Sequence, residues 1–199
     1  MESVGKMKII VDIDNTLWHF APVLYEYLKE VNPHILPTDQ WGAWKFWERD
    51  MDTKVFYGVL KKVHMDQEQF APYGDAKQFL HSLRERGFRI LIASHREKET
   101  YDPTLRWLEK NELIFDELHV LNDKSILFEH AFGVVDDSPV TLEKARKAGI
   151  VTTGLSFPWN EGLGYTLFGS LTEVLVYIDS VLEQSCGDRR EDVPCTNRS

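Results

Sequence analysis

The chain has 199 residues, of which 43% are hydrophobic and 28% charged, and its formal net charge is −9. This length and composition are typical of a soluble globular protein with one substantial core. The acidic balance argues against a nucleic-acid backbone or an anionic membrane surface as the main partner, because both would repel the protein. It still allows a small phosphorylated ligand, since a local cation can dominate an acidic surface.

The two ends of the chain indicate its compartment. The first apolar run is short and leads into Asp12, so we expect no signal peptide, and no stretch reaches the ~18 apolar residues of a membrane span. Cys186 and Cys195 lie in a polar segment, residues 185–199, that we expect to be disordered. Their spacing, with no His nearby, makes a poor zinc site, and a reducing cytoplasmic location is expected.

The first predicted element is a buried strand, "KIIV", which runs directly into Asp12 and Asp14. Strand periodicity places both carboxylates on the same side, where they repel each other, and an unpaired buried carboxylate is costly. Two interpretations stay open on these residues alone. The strand ends in a polar turn through Asn15 and Thr16, or its edge holds two acids against a cation.

Residues 20–70 contain no convincing strand and are predicted to form three short helices. The first carries an apolar stripe and is closed by Pro33 and Pro37. The second is crowded with aromatic residues, and the third begins after Asp52 as its N-cap.

From Pro72 onward the pattern alternates between helices and buried strands. The predicted helix starts are Asp75, Asp102-Pro103, Ser138-Pro139 and a capping box from Ser170 to Glu173, and two helices are predicted to stop at Gly87 and Gly149. The predicted strands are "FRILIAS", "ELHVL", "FGVVDD" and "IVTTGLS".

This alternation predicts an α/β fold with a doubly wound parallel sheet, whose sites lie at the carboxyl ends of the strands. We therefore expect an α/β core formed by residues 1–19 and 71–184. Residues 20–70 would form a small helical cap, inserted after the first strand and lying over the edge of the sheet.

Polar side chains follow several of these strands. Ser94 ends the second strand, Lys124 lies beyond the third, and Asp136 and Asp137 end the fourth. Parallel strands bring such residues to one edge of the sheet, together with Asp12 and Asp14 at the end of the first strand. Each residue alone is ordinary, but the set in this order indicates a catalytic site.

The motifs resemble those of the haloacid dehalogenase (HAD) superfamily of phosphohydrolases, which are matched by "DIDNT", the Ser of "LIASH", the Lys of "NDKS", and "VVDDS". Residues 8–180 are most similar to the 5'(3')-deoxyribonucleotidase branch, including the position of the cap, "PYGD" and the "PWN" at Pro158 to Asn160. Two departures leave the substrate open. The branch usually has Gly and Val where this chain has Asn15 and Thr16, and "DIDNTLW" is also similar to the magnesium-dependent phosphatase-1 family, which lacks a comparable cap.

The resemblance implies roles for the acids. Asp12 would be the nucleophile that forms an aspartyl-phosphate, and Asp14 would protonate the leaving alkoxide and then activate water. Mg²⁺ would be held by Asp12, the backbone carbonyl of Asp14 and an acid of the Asp136–Asp137 pair. Mg²⁺ would also offset the crowding of carboxylates after the first strand.

The resemblance also implies how a phosphorylated substrate would be held. Lys124 would add a second positive charge beside the phosphoryl oxygens, and Ser94 would donate a hydrogen bond to one of them. Phe20, Phe46 and Trp47 occupy positions where the nucleotidase branch places base-stacking aromatics. The other interpretation, that a small cap needs aromatic filler, stays open for these three, and we favour it for Trp41 and Trp44.

We therefore expect a phosphatase that acts on a small phosphorylated substrate, with a (deoxy)nucleoside monophosphate first among them. The alternatives are a HAD phosphatase for another metabolite or a phosphoprotein, a dehalogenase or phosphomutase, and a HAD-fold binding protein without turnover. Asp14 favours phosphoryl chemistry, because dehalogenases lack this second acid and a pure binder does not need it. Monomer and homodimer both stay open.

Overall fold

The structure, a computed structural model, describes residues 7–191, with side chains through residue 184. Six parallel strands form one sheet in the order β3-β2-β1-β4-β5-β6. The strands are β1 (Lys8–Val11), β2 (Arg89–Ser94), β3 (Glu117–Val120), β4 (Ala131–Val135), β5 (Val151–Leu155) and β6 (Thr166–Phe168). The predicted α/β parallel sheet is confirmed. β6 was not predicted, because its three residues follow a loop and carry no strand periodicity.

The described part of the chain contains six α-helices: α1 (Phe20–Val31), α2 (Thr53–Asp66), α3 (Ala76–Glu85), α4 (Tyr101–Lys110), α5 (Pro139–Lys147) and α6 (Leu171–Glu191). Among residues 7–191, no helix is both long enough and apolar enough to cross a membrane.

The two faces of the sheet are covered unequally, and β1 shows the alternation. Ile9 and Val11 point into a large core that also contains buried residues of α3, α4 and α6. Ile10 points to the other face, where it belongs to a smaller cluster with Ala145 of α5 and Phe128. Both faces of the central strand are thus buried, as in a doubly wound sheet.

The inserted segment, residues 20–70, contains α1, α2 and three 3₁₀ helices (Thr38–Gln40, Phe46–Arg49 and Gln67–Gln69). The aromatic stretch predicted as a helix contains only a short 3₁₀ helix, which includes Phe46 and Trp47, whereas Trp41 and Trp44 lie outside it. The buried side chains of this segment belong to the same core as β1 rather than to a core of their own. The segment is thus fixed to the sheet by apolar packing, which positions its side chains against the strand ends.

Most of the predicted helix starts depend on local hydrogen bonds that the structure contains. Asp52 Oδ1 accepts from the backbone N–H groups of Lys54 and Val55, and Ser138 Oγ accepts from Thr141. Half of the Ser170–Glu173 capping box is present: Glu173 N donates to Ser170 Oγ at 3.2 Å, and the Glu173 carboxylate accepts from Gly169 N at 2.9 Å.

One predicted N-cap is in the right position but makes no capping bond, and another is misplaced. Asp75 occupies the N-cap position of α3, but its side chain makes no capping bond, because its backbone (φ −97°, ψ −4°) is not in the extended region that capping requires. Asp102 lies inside the first turn of α4, because a 3₁₀ helix (Lys98–Thr100) starts the helical path earlier. α3 and α5 stop before Gly87 and Gly149 as predicted.

At the carboxyl end, α6 continues to Glu191, into the segment that we expected to be disordered. The remainder of that segment, including Cys195, lies outside the described residues.

Candidate active site

The end of β1 carries Asp12 on a backbone that is fixed by the sheet. Asp12 N donates to the carbonyl oxygen of Val135 in β4 at 2.9 Å, which extends the pairing of β1 with β4 by one residue. Strand order reverses at this point, since β2 lies on one side of β1 and β4 on the other. Asp12 is buried, and it lies at the switch point where parallel α/β sheets bind their ligands.

Lys124 reaches this point from the loop beyond β3. Its short 3₁₀ helix (Lys124–Leu127) is capped by Asp123, whose Oδ1 accepts from Ser125 N at 3.0 Å. The buried Lys124 ammonium donates to Asp12 Oδ1 and, at 2.6 Å, to Asp136 Oδ2. One cation is therefore shared between two carboxylates that the sequence placed at the same edge.

Close packing of β4 and β5 fixes the position of Asp136. A Cβ atom on Gly154 of β5 would lie 1.9 Å from the carbonyl oxygen of Asp136, so only glycine fits there. Asp136 Oδ1 also accepts from Ser138 N at 2.8 Å, which ties the carboxylate to the start of α5.

Asp137 is held by side chains from two distant turns. Its Oδ2 accepts from Asn15 Nδ2 at 3.0 Å and from Trp159 Nε1 at 3.1 Å. Asn15 has φ 55°, a left-handed conformation that Asn tolerates better than most residues, and its Oδ1 accepts from Ala21 N at 2.8 Å. The "DIDNT" and "PWN" motifs therefore both serve to orient Asp137.

Carboxylate oxygens of Asp12, Asp136 and Asp137 lie within 4.8 Å of one another, and all three residues are buried. Lys124 neutralises only one of these charges. An all-oxygen donor set with excess negative charge suits a hard cation such as Mg²⁺. Asp137 can bind such a cation through Oδ1 while its Oδ2 accepts hydrogen bonds. These residues therefore fit the predicted metal.

The electrostatics of the cluster reflect this excess of charge. Burial raises the pKa of Asp12 to about 8, with Asp136 and Asp14 adding to the effect and Lys124 opposing it. Burial, together with Asp12 and Asp136, raises the pKa of Asp137 well above its usual value. Burial alone would lower the pKa of Lys124, but Asp12 and Asp136 raise it instead.

Asp14 lies in a different environment, surrounded by hydrogen-bond donors. Its Oδ1 accepts from Trp18 Nε1 at 2.9 Å and from Arg96 Nη2 at 2.5 Å. Its Oδ2 accepts from Arg96 Nε at 3.2 Å and from Ser94 Oγ at 3.3 Å, and it lies 3.1 Å from His64 Nε2. The Ser94 hydroxyl is thus directed at Asp14, and its contact with a phosphoryl oxygen stays a prediction.

The charge of Asp14 is compensated more completely than that of Asp12, which shares the Lys124 ammonium with Asp136. Burial would raise the pKa of Asp14, but the charge of Arg96 and the proximity of His64 hold it well below its usual range. The pKa of His64 is itself lowered by burial and by Arg96. The two acids of the first motif therefore have opposite electrostatic environments, although one residue separates them.

A cavity of about 340 Å³ lies at the site. Asp12, Asp14 and Lys124 line it together with Asp136 and Asp137. Much of the remaining wall is aromatic and comes from the inserted segment and from Trp159, and polar residues beyond the strand ends, among them His95 and Asn122, complete it.

The three predicted base-stacking residues all line this cavity, and each already packs against a neighbouring ring. Phe46 stacks on Trp41 with ring centroids 3.7 Å apart, and Trp47 stacks on Phe56 at 3.9 Å. Phe20 stacks on His64 at 5.3 Å. Stacking of a nucleobase stays a prediction, and Trp41 and Trp44, which we favoured as filler, also line the cavity.

Sequence reasoning missed His64 and Arg96, which line the cavity beside Asp14. Arg96 follows Ser94 by two residues, so the same strand-end argument that selected Ser94 could have selected it. His64 lies on α2, fifty positions from Asp14, and no local pattern indicates that contact.

Comparison with known proteins identifies the fold. A haloacid dehalogenase-like family hydrolase from Streptococcus pneumoniae superposes with a TM-score of 0.61 at 13% identity, over 86% of this chain and 98% of that one. A structure described as a predicted phosphatase from Clostridium acetobutylicum gives 0.62 at 17% identity, over 88% and 99%. The chain has a HAD-like α/β fold.

A dehalogenase also superposes, with a TM-score of 0.52 at 14% identity over 86% of this chain and 96% of that one. Searches of family models and of curated proteins found no match. At these identities the likeness extends to the fold, and the chemistry has to be argued from the side chains.

Proposed function

We propose that this chain is a Mg²⁺-dependent phosphomonoester hydrolase of the HAD superfamily that acts through an aspartyl-phosphate on Asp12. The observation that supports this most is the buried cluster of Asp12, Lys124, Asp136 and Asp137 in the wall of one cavity. Phosphoryl transfer requires mainly positioning and neutralisation of charge. A nucleophilic carboxylate beside a buried ammonium and an acidic cation site supplies both.

The residues that would hold Mg²⁺ are Asp12, Asp136 and Asp137, with the backbone carbonyl of Asp14 as a further predicted ligand. When bound, the metal supplies positive charge for the phosphoryl oxygens. A cation beside Asp12 would also lower its raised pKa, which the reaction requires because the nucleophile is the carboxylate.

The reaction has two steps, formation and hydrolysis of the aspartyl-phosphate, and side chains of this protein serve both. An oxygen of Asp12 attacks phosphorus as the bond between phosphorus and the ester oxygen breaks, and Lys124 neutralises charge on Asp12 and the phosphoryl oxygens. Asp14 is a carboxylate beside Arg96 and His64, so it takes up a proton when the substrate binds and gives that proton to the departing alkoxide. It later takes a proton from the water that attacks the aspartyl-phosphate, and this step releases phosphate and restores Asp12.

For the substrate we propose a (deoxy)nucleoside monophosphate. The support is an aromatic cavity wall, formed in part by Phe20, Phe46 and Trp47, on the same cavity as Asp12. Stacking on aromatic side chains contributes about 1–3 kcal/mol per base. A sugar phosphate offers no comparable flat surface, so this wall favours a substrate with a base.

The test is a phosphatase screen with Mg²⁺ and with EDTA across nucleoside monophosphates, sugar phosphates and phosphoamino acids. We expect turnover with Mg²⁺, loss of turnover with EDTA, and preference for a nucleotide. Asp12→Asn should abolish turnover, whereas Asp179→Asn, which removes a carboxylate paired with Arg86 away from the cavity, should not. Turnover by Asp12→Asn within a few-fold of wild type would refute the nucleophile, and preference for a sugar phosphate would refute the nucleotide.

A further inference from the structure

Hydrogen-bond donors surround both carboxylate oxygens of Asp14, so its side chain is not free to rotate. Arg96 contacts both of its oxygens, and Trp18, Ser94 and His64 occupy further positions around them. A carboxylate has roughly four lone-pair sites, so these contacts fix both its location and its rotation.

Arg96 is itself held in place by other side chains, and it has no exposed side-chain surface. Its Nη1 donates to Thr104 Oγ1 at 2.8 Å and to Gln67 Oε1 at 2.5 Å, and its Nε donates to Ser94 Oγ at 3.0 Å. Thr104 lies on α4, and Gln67 lies just beyond α2 in the inserted segment. The guanidinium therefore connects Asp14 to the sheet, to α4 and to the inserted segment together.

We propose that Arg96 is the positioning residue for Asp14, and that Gln67 and Thr104 hold Arg96 in the orientation this requires. The inference rests on the proposed function in one respect, that Asp14 transfers the proton. It adds a role for the inserted segment, which would help to align the acid through Gln67 as well as line the cavity.

The planar guanidinium is essential to this role. Arg96 uses Nε and Nη2 on Asp14 while Nη1 faces the opposite way toward Gln67 and Thr104. A Lys ammonium is a single point of charge and cannot make both sets of contacts. Arg96→Lys should therefore fail to restore function, whereas a role that needed only a buried positive charge would be rescued by Lys.

Direct binding of the substrate's phosphoryl group by Arg96 is the competing explanation, because Arg96 also lines the cavity. Its contacts argue against it, since all three guanidinium nitrogens already donate to protein groups. The two explanations predict different kinetics. A phosphate-binding residue raises KM for every phosphate ester, whereas a residue that orients the acid lowers kcat according to the leaving group.

The first experiment compares Arg96→Lys with Arg86→Lys, a control that alters a paired arginine outside the cavity. The rate with a nucleoside monophosphate is divided by the rate with p-nitrophenyl phosphate, whose leaving group needs little help from an acid. We expect Arg96→Lys to lower the kcat ratio by about tenfold or more, with KM within a few-fold of wild type, because general acid catalysis contributes about 10²–10⁴-fold. Arg86→Lys should leave the ratio unchanged.

The same substitution is then made in Asp14→Asn. If Arg96 acts through Asp14, adding Arg96→Lys should change kcat little beyond the loss caused by Asp14→Asn alone. Equal losses with both substrates, effects that multiply in the double variant, or a rise in KM for both esters would overturn the proposal.

A third experiment does not depend on activity. Unfolding of the wild type, Asp14→Asn, Arg96→Lys and the double variant forms a thermodynamic cycle, and we expect a coupling of about tenfold in the unfolding constant. Additive effects would overturn the proposal that Arg96 fixes Asp14. If the wild type shows no phosphatase activity, the proposed function fails, but this cycle still decides whether the two residues are coupled.

Should Arg96→Lys not fold, Gln67→Met and Thr104→Val remove its supports and keep both Arg96 and Asp14. Each should lower the leaving-group ratio at least about twofold, because small misplacements of a catalytic group are costly. No change in either variant would overturn the proposal.

Discussion

Lys124 and Asp136 form an ion pair, with Nζ and Oδ2 2.6 Å apart, across the middle of the sheet. Lys124 follows β3 and Asp136 follows β4, and two strands, β2 and β1, lie between these in the sheet. The loop after β3 therefore crosses the strand ends to bring its ammonium to Asp12 and Asp136. The same ammonium contacts the proposed nucleophile, Asp12, so loss of Lys124 should lower both stability and turnover.

Replacement of Lys124 by Met should abolish turnover and destabilise the metal-free protein. Loss of one partner from a buried ion pair typically costs about 3–5 kcal/mol, because the remaining charges are left uncompensated. The loss should be smaller at pH 5 than at pH 8, since the carboxylates can then take up protons. Urea denaturation at both pH values measures it. Lys77→Met, which breaks an exposed ion pair with Glu112, serves as the control. An equal loss of stability in both variants would contradict the buried ion pair of Lys124.

The pH dependence of stability should show the raised pKa of Asp12. Because that pKa is about 8 in the folded protein and 3.8 for an unperturbed Asp, the folded state binds more protons between these values. The contribution of Asp12 is therefore fully present below pH 3.8 and is lost as the pH rises toward 8. Relative to wild type, Asp12→Asn should gain stability over pH 5–8, by up to ~1.4 kcal/mol per pH unit.

Urea denaturation of both proteins in EDTA, at intervals of half a pH unit, provides the measurement. Taking the difference between the variants removes the contributions of His64 and His95, whose lowered pKa values act in the opposite direction. A difference that is flat across this range, or that falls with pH, would contradict the electrostatic assignment.

Several of these features could be predicted from the sequence because they depend on neighbours along the chain. The N-cap at Asp52 and the capping box at Ser170 are set by residues within one helical turn, and the end of a buried strand locates Asp12. The environment of Asp14 could not be predicted in the same way. Its partner His64 is 50 positions away on α2, and their contact depends on how the inserted segment packs on the sheet. Local patterns thus located Asp12 and Asp14, and tertiary packing determines why the pKa of Asp12 is raised and that of Asp14 is lowered.

Binding of Mg²⁺ should stabilise the folded protein, because the acidic cluster exists only when the strands are assembled. At a concentration one hundred times the dissociation constant, the gain is about 2.7 kcal/mol. Asp137→Asn should reduce this gain by removing one charged ligand. Thermal unfolding with and without Mg²⁺, with Na⁺ at matched ionic strength as control, measures the effect. Equal stabilisation of wild type and Asp137→Asn would place the cation elsewhere.

Asp14→Asn should slow the hydrolysis of nucleotides more than that of p-nitrophenyl phosphate. Poor leaving groups need a proton from the acid, whereas p-nitrophenolate departs with little help. Some loss should occur with both substrates, since Asp14 also serves the hydrolysis of the aspartyl-phosphate. Steady-state kcat for the two esters provides the comparison. A larger loss with p-nitrophenyl phosphate would contradict the role of Asp14 as the acid.

The aromatic wall of the cavity provides the test of substrate class. Phe46→Leu and Trp47→Leu keep apolar bulk but remove the ring face, so each should raise KM for a deoxynucleoside monophosphate by roughly 5- to 150-fold, equivalent to ~1–3 kcal/mol of stacking. p-Nitrophenyl phosphate, which is too small to use the whole wall, should be much less affected. Phe168→Leu alters a ring that packs on Tyr177, outside this cavity wall, and should change neither KM. If both variants lose the two substrates equally, Phe46 and Trp47 serve to pack against Trp41 and Phe56, and the base is bound elsewhere or is absent from the substrate.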